Sequence, residues 1–569
     1  MSLVNSALTI GRSALLAYQS ALQVVGNNVS NAGTDGYTRQ SAVLTPQTGV
    51  NLAPGMIPGA GVALTSLRRN IDESIEHRIR VALGDQAGVL AEREALGRIE
   101  AVMNELSDAD FSTLLQEFFN AFNSLQNQPH DSTSRNQVLI AGDAMARELH
   151  RQRADMLSLR EELNQSIIDA TTRANELLGE VASLNQKITA LEGPGGGANA
   201  LRDQRDLALR ELSELVQVQI RQQPNGGVNV YIGNDLAVQD GFSRGLTTAL
   251  DVVNGLPKAE VRYADTNSEV DLRGGRIEGL IAGRDTHAQG HIDAIDAFAG
   301  ALIREVNKRH ADGQGLTGLS SITSANVLSA TDAALNSTDA GLPFAPENGS
   351  FQITVWDDAD PPEGITTTIQ VDLDGANNDD TTLESLVADI NGRVEGVTAS
   401  ITADNRLQIV ADSGQTFTFG DDSSGVLGAM GVNSFFTGSS TQDIAINAAL
   451  VNDPRLVAAA TGFAPGDGLN AQRLGALESD KLASLQDRSL TEVFNNIVSN
   501  VAVRGAAANS TVQATESISL ALNAQRESVS GVSLDEETVS LLRLERSFQG
   551  AARYTATVDR LLQEMLALV

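Results

Sequence analysis

Two histidines four residues apart, His287 and His291, form the arrangement in this sequence that comes closest to a metal site. Side chains at positions i and i+4 share one face of a helix, and paired imidazoles at this spacing bind zinc in metalloproteases. Asp285 and Asp293 are close by, but the glutamate of the metalloprotease motif is absent. We therefore interpret the two histidines as a surface pair, with metal binding as the alternative.

The other patterns that could indicate a binding or catalytic site are less specific than the histidine pair. Three acidic pairs, Asp357-Asp358, Asp379-Asp380 and Asp421-Asp422, fall in predicted loops, and calcium binding there is an alternative to solvated surface because the EF-hand spacing is missing. The run Gly193-Pro194-Gly195-Gly196-Gly197 lacks the ending of a phosphate-binding loop and is predicted as a linker. The sequence contains no cysteine, which excludes disulfides and cysteine nucleophiles. It predicts no catalytic residue, no cofactor, no metal and no enzyme.

Composition narrows the classes of partner. The chain has 569 residues and a formal net charge of -32, so its mean field repels nucleic acid and anionic membranes. No stretch reaches the roughly 18 apolar residues that span a bilayer. The first residues carry no basic segment before Arg12, so no cleaved signal peptide is expected. The sequence predicts a soluble chain, or one exported without such a signal.

The last predicted helix, from Leu534 to Val569, carries apolar residues at alternating intervals of three and four positions. This spacing is typical of a coiled-coil seam. Glu537 and Thr555 interrupt the seam, and Ser533 with Glu536 predicts a capping box at the helix start. The apolar seam residues are Leu534, Leu541, Leu544, Phe548, Ala551, Val558, Leu562, Met565 and Val569.

The first predicted helix has the same alternation, and only Gly11 lacks an apolar side chain. Its apolar seam residues are Val4, Leu8, Leu15, Tyr18, Leu22, Val25 and Val29. Burial of one such side chain is worth roughly 1.5–3 kcal/mol, so we expect both seams to be covered. Either they pair with each other, which could simply close a domain, or they pair with copies in neighbouring molecules.

Between the terminal helices the pattern predicts a mainly α chain with β insertions, an α+β organisation. It consists of paired terminal coiled-coil helices, a long helical body and an inserted small α+β domain. A hairpin is predicted around Asn225-Gly226-Gly227, and a helix from about Asn199 to Leu215 precedes it. Helical spacing also predicts one apolar face that consists of Phe111, Leu115, Phe118, Phe122 and Leu125. The predicted domains are 1–40 (first core helix and turn), 41–320 (helical body, first part), 321–445 (insertion), 446–530 (helical body, second part) and 531–569 (last core helix).

A cluster of turn formers follows the first helix. Asn and Gly tolerate the left-handed backbone that ends a helix, so the chain is expected to change direction here. The residues Asn27, Asn28, Asn31, Thr34, Gly36, Tyr37, Arg39 and Gln40 resemble a signature of the bacterial flagellar rod, hook and hook-associated axial proteins. One departure is Gly33-Thr34-Asp35, where that family more often has Asn-Thr-Pro.

Three further stretches are similar to the members of that family that join hook to filament. They are residues 201–206, residues 274–280 and onward to about residue 307, and residues 530–537 with the positions beyond them. Thr38-Arg39-Gln40 also matches those members, whereas the insertion resembles the variable modules of such proteins only loosely. The resemblance therefore covers both ends and much of the middle of the chain.

The resemblance implies a structural adaptor whose terminal helices stack into the axial tube of the flagellum. It implies a ring of about eleven copies of the chain. Hook protein would lie on one side, and a second junction protein, hook-associated protein 3, would connect the other side to the flagellin filament. It also implies a dedicated export chaperone at the C-terminal helix, export by the flagellar type III system, and an extracellular location.

Two alternatives remain at this point. One is another axial subunit of the same family, a hook or rod protein, against which the chain length and the internal matches argue. The other is a secreted helical adhesin or effector whose acidic insertion, residues 321–445, binds a ligand.

Overall fold

A computed structural model of the chain describes residues 2–48, 59–103, 110–192, 197–253, 255–357, 363–377, 379–462 and 466–567, with side chains given for all of these except 2–5 and 566. The helices are α1 (Ser2–Ser30), α2 (Glu73–Met103), α3 (Phe111–Asn127), α4 (Ser132–Leu191), α5 (Asn199–Leu215), α6 (Arg276–Ala282), α7 (Gln289–Ala311), α8 (Leu383–Arg393), α9 (Val426–Met430), α10 (Ala448–Asn452), α11 (Leu469–Ala476), α12 (Leu490–Ser530) and α13 (Leu534–Ala567).

The strands are short and lie mostly between α5 and α10. They are β1 (Gln40–Thr48), β2 (Gly59–Arg69), β3 (Val218–Gln222), β4 (Val228–Ile232), β5 (Asp235–Gln239), β6 (Phe242–Ser243), β7 (Leu246–Val253), β8 (Leu256–Tyr263), β9 (Ser321–Thr323), β10 (Gly349–Trp356), β11 (Gly364–Val371), β12 (Val397–Ile401), β13 (Leu407–Ala411), β14 (Thr416–Gly420), β15 (Phe436–Thr437) and β16 (Ala445–Ile446). The predicted fold class, mainly α with β insertions, is confirmed.

The chain forms two compact units. The first contains Met1–Ala95, Glu161–Arg284 and Ala506–Val569, and the second contains Leu96–Arg160 and Asp285–Gly505. The domain ranges expected from the sequence divide the chain by composition rather than by contacts, and they stay predictions.

The first unit holds the terminal helices and three small antiparallel sheets, ordered β1-β2, β3-β4-β5-β6 and β7-β8. The predicted hairpin is confirmed, because β3 pairs with β4 up to Gln222 and Val228. Gly226 at its turn has φ +85°, a conformation that glycine adopts without strain. The alternating residues Val228, Val230 and Ile232 of β4 are buried, as a half-buried strand requires.

Close backbone contact between α2 and the start of α6 depends on small residues. A Cβ atom at Gly88 would lie 3.1 Å from the Gly275 carbonyl oxygen, and one at Gly279 would collide with the Gly88 carbonyl. Side chains at these positions would force the two backbones apart. The stretch 274–280 is thereby explained as a packing surface.

The second unit has an aromatic core. Asp110 caps α3 by accepting from Thr113 N at 2.6 Å, and the apolar face expected on this helix is buried. Phe111 packs edge-on against Phe298 of α7 at 5.6 Å between ring centroids. The members of the predicted α3 face are Phe111, Leu115, Phe118, Phe122 and Leu125.

A second core in this unit lies largely within the predicted insertion. The sheet β11-β10-β14, the sheet β12-β13-β9 and α8 bury a common apolar cluster. Its largest members are Phe351, Phe417 and Phe419, all essentially inaccessible to solvent.

The surface interpretation of the histidine pair is wrong for His291. His291 is only 4% exposed, and His287 is half-buried. His291 precedes Ile295 and Phe298 by four and seven positions, so it shares the face of α7 that points into the core. A π-helical turn over Gly283–Ala288, which the sequence pattern did not predict, leads into this helix.

Near the end of α7, His310 is fully buried and held in its neutral form. Its Nε2 accepts from Ala458 N at 2.9 Å, and its Nδ1 lies 2.7 Å from the Asn433 carbonyl oxygen, to which it donates. Burial, assisted by the positive charge of Arg135, lowers the pKa of His310 to about 4.

We expect this histidine to make stability pH-dependent. Below pH 6.5 the unfolded ring takes up a proton that the folded ring rejects, so the free energy of unfolding should fall by about 3 kcal/mol between pH 6.5 and pH 4. Denaturant unfolding of the wild type and of His310→Gln at pH 7.5 and 4.5 measures this difference. The exposed His77→Gln should keep the wild-type dependence, and an equally steep dependence in His310→Gln would contradict the assignment.

Candidate functional site

The two terminal helices pack against each other within one chain. Gly11, near the start of α1, faces Thr555 near the end of α13, and a Cβ atom at Gly11 would collide with the Thr555 hydroxyl. Asn28, near the end of α1, bonds to Glu537 near the start of α13 at 3.0 Å. Because the start of α1 contacts the later part of α13 and its end contacts the start of α13, the two helices are antiparallel.

Both contacts fit a single register, in which the two predicted seams come level. Leu15 then stands opposite Ala551, Tyr18 opposite Phe548 and Leu22 opposite Leu544, because each step along one helix is matched by a step back along the other. The two interruptions of the C-terminal seam therefore have partners of their own. Thr555 fits the missing side chain of Gly11, and Glu537 meets a polar group.

Burial along the seams is graded. Val25 and Val558 are buried, and a further eight predicted seam residues are half-buried: Leu8, Leu15, Tyr18, Leu22, Leu544, Phe548, Ala551 and Leu562. Four others are exposed: Val29, Leu534, Leu541 and Met565. The side chains of Val4 and Val569 lie outside the described residues. A single chain thus covers most of its described seam residues only in part and leaves four of them open to solvent.

Asn28, Arg39 and Glu537 form a polar cluster, which we call the terminal latch. The Glu537 carboxylate, almost inaccessible to solvent, accepts from Arg39 Nε at 2.7 Å and from Asn28 Nδ2 at 3.0 Å. Asn28 Nδ2 also donates to the Gln40 carbonyl at 2.9 Å, and its Oδ1 accepts from Gln40 N at 3.0 Å and from the Tyr37 hydroxyl at 2.8 Å. Charge-assisted bonds of this kind hold a buried carboxylate in place.

The other motif residues shape the turn that carries Arg39 to the latch. Asn31 Nδ2 donates to the Asn27 carbonyl at 2.9 Å, and Thr34 Oγ1 donates to Asn31 Oδ1 at 3.2 Å. Gly36 has φ +76°. Burial, together with the charge of Asp203, raises the pKa of Tyr37 to about 12, so its hydroxyl keeps its proton and can donate.

Helix α5, which carries the internal stretch 201–206, contacts strand β2 and the end of the turn. Asp203 and Asp206 on α5 accept from Arg69 Nη1 of β2 at 2.8 and 2.7 Å. Asn199 Nδ2 donates to Gln40 Oε1 at 3.2 Å. Three stretches of the resemblance, far apart in the sequence, therefore meet at one place in the first unit.

Glu537 is the functional residue that the sequence pattern missed. In the sequence Glu537 is only an interruption of the seam, although a lone carboxylate in an apolar row indicates a buried polar partner. Of the two hydrogen bonds in the predicted capping box, the one from the Glu536 carboxylate back to Ser533 is wrong. Ser533 Oγ accepts from Glu536 N at a long 3.5 Å, but the Glu536 carboxylate accepts from Arg39 NH1 at 2.6 Å instead of returning to Ser533.

Comparison with known proteins adds independent findings. Residues 96–325 match the family described as the flagellar hook-associated protein FlgK helical domain, and residues 8–38 match flagella basal body rod protein. Flagellar hook-associated protein 1 of Escherichia coli is 24% identical over 99% of each chain. Its counterpart in Bacillus subtilis is 25% identical over 98% of this chain and 97% of its own. The solved flagellar hook junction protein FlgK of Burkholderia pseudomallei covers 80% of this chain and 100% of its own, with TM-score 0.49 and 15% identity.

The matches at the turn and along the body define the chain as a structural component of the flagellum and not an enzyme. No helix in the described part of the chain is long and apolar enough to cross a membrane. Within this class, the chain is similar to the hook-associated proteins, and flagellar hook-associated protein 1 matches it over nearly its whole length.

The latch should stabilise the terminal pair far more than its exposed neighbour does. Glu537→Ala leaves Asn28 and Arg39 without their carboxylate, and breaking a buried ion pair costs about 3 kcal/mol. Hydrogen exchange in α1 and α13 should then accelerate about 100-fold. Glu536→Ala, whose side chain is 63% exposed, should cost less than about 1 kcal/mol. Equal effects of the two substitutions would refute the latch.

The turn offers a matched pair of glycines. A Cβ atom at Gly36 would have its nearest neighbour, a Leu207 carbon, at 3.5 Å, so Gly36→Ala is disfavoured by its positive φ and not by space. We expect a loss of about 1 kcal/mol in the stability of the turn. Gly33→Ala, where φ is not positive and no atom lies within 4 Å, should be nearly neutral. Amide exchange across the turn measures both, and similar losses would contradict the role of φ.

Proposed function

We propose that the chain is a structural adaptor that joins hook to filament by stacking its terminal helices into the axial tube of the flagellum. The observation that carries the proposal is the incomplete covering of α13. Residues on several faces of this helix are exposed, including Leu534, Val539, Leu541, Leu542, Leu561 and Met565.

Such a surface favours assembly. Exposed apolar side chains on one helix are worth roughly 1.5–3 kcal/mol each when they become buried. Pairing with α1 covers one face of α13, and among the described residues the apolar side chains on its other faces stay open to contact with other molecules. Helices from neighbouring copies, placed side by side in a tube, supply such cover, and repeated head-to-tail contacts produce rings or helical filaments.

The proposal includes the partners that the resemblance implies. About eleven copies would form the junction ring. Hook protein would lie on one side, and hook-associated protein 3 would connect the other side to flagellin. An export chaperone would cover the exposed faces of α13 before assembly, and the flagellar type III system would deliver the chain to the cell exterior.

Two alternatives are tested by location. Labelling of isolated hook-filament assemblies should give a single band at the junction. Labelling along the whole hook or in the rod would support another axial subunit, and labelling elsewhere on the cell would support an adhesin or effector.

An exposed position of α13 tests the assembly argument. Leu542 is 50% exposed and lies off the face that meets α1, so Leu542→Glu should leave the folded chain and its export intact. A charge buried between copies is costly, so we expect loss of filament attachment, with flagellin shed into the medium. Thr172→Glu, at an exposed polar position of α4 outside the terminal helices, serves as control and should leave motility normal.

A separate set of substitutions tests the adhesin alternative. Removing the insertion outright would also remove Phe435 and Phe436, which belong to the aromatic core of the second unit, so point substitutions are cleaner. Replacing Asp372, Asp374 and Asp380, whose carboxylates cluster within the insertion, by Asn should leave motility unchanged. Loss of function in this variant, with Leu542→Glu still motile, would overturn the proposal.

A further inference from the structure

An open cavity of about 630 Å³ lies within the second unit, between α7, the first half of α12 and the turn before α12. Its wall is mostly apolar, with Phe298, Ile497 and Val501 among the lining residues. His287 and His291 line the same cavity from α7 and the π-helical turn that precedes it.

His291 is the unusual group in this wall. It is only 4% exposed, and neither Nδ1 nor Nε2 has a hydrogen-bond partner among the described residues. A buried polar group left unpaired destabilises the fold, and most buried polar groups in proteins have a hydrogen-bond partner. Since the ring borders the cavity, a ligand there can reach it.

The surroundings favour a metal ion as that ligand. His287 precedes His291 by four positions, and both side chains line the same cavity. Asn496 and Asn500 on α12 line the cavity as well and offer amide oxygens. The π-helical turn that contains His287 is a local irregularity of a kind that is frequent at functional sites.

We propose that His287 and His291 bind a divalent transition-metal ion of the zinc or copper class inside this cavity. Imidazole nitrogen suits these ions, whereas calcium and magnesium prefer oxygen ligands. Water and the amide oxygens of α12 complete the coordination. Arg488 and Arg504 also line the cavity, so the site is not strongly acidic, and it differs in this respect from the carboxylate cluster of the insertion.

The bound ion has a structural role. It satisfies the buried imidazole and connects α7 to α12 across the cavity, because its ligands come from both helices. The site is independent of the terminal helices, which belong to the first unit. Its failure would therefore leave the proposed adaptor function untouched.

The test uses the full chain with zinc chloride and copper(II) chloride. Titration calorimetry should show one strong Zn²⁺ site per chain, and the electron paramagnetic resonance spectrum of the Cu²⁺-loaded chain should show coupling to imidazole nitrogens. His291→Ala and His287→Ala should each weaken binding at least tenfold, since even outer-shell changes cost about 10–100-fold. His287 is only half-buried, so its variant tests the site even if His291→Ala disturbs the fold.

Two controls assign the signal. His77→Ala, on an exposed face of α2, should bind Zn²⁺ like the wild type, and so should Asp374→Asn in the carboxylate cluster. The proposal is overturned if the wild type takes up no Zn²⁺, or if binding survives in folded His287→Ala. Loss of binding in Asp374→Asn alone would overturn it too, by moving the site to the insertion.

Discussion

The buried carboxylate of Glu537 is the constraint on which the terminal architecture depends. In an apolar seam this charge is tolerable only because Arg39 and Asn28 are brought to it, at 2.7 and 3.0 Å. The turn after α1 places Arg39 beside Glu537. Asn199 of α5 supports this turn through its hydrogen bond to Gln40. Arg39 N also donates to the Ser530 carbonyl at 3.0 Å, which ties the end of α12 to the same place.

Some seam residues of the terminal helices are covered within the chain, and others are open to contact with other molecules. Val25 of α1 and Val558 of α13 are buried within the single chain. Leu534 and Met565, near the two ends of α13, remain exposed. A helix covered on one face by its own chain keeps a defined shape while its open faces stay ready for other molecules.

The sequence predicted local elements and their buried faces better than it predicted which distant residues contact each other. The hairpin at Gly226, helix α5 and the buried face of α3 follow from local spacing and turn chemistry, so they could be found from the residues alone. The role of Glu537, the burial of His291 and the carboxylate exchange of Glu536 depend on residues hundreds of positions away. Spacing along one helix contains no information about which distant group will meet it, and a π-helical turn has no distinct periodicity to reveal it.

The polar positions of the seam explain why one register of the helix pair is more stable than the others. A slip of seven residues would bring Glu537 level with Leu22 instead of Asn28 and Val29, and the carboxylate would be buried without its partners. The cost is several kcal/mol, which exceeds the gain from any apolar contact made by the slip. The same slip would take Thr555 away from Gly11, the only seam position of α1 without a side chain. Apolar residues alone would pair in several registers, so the two interruptions of the seam select the native one.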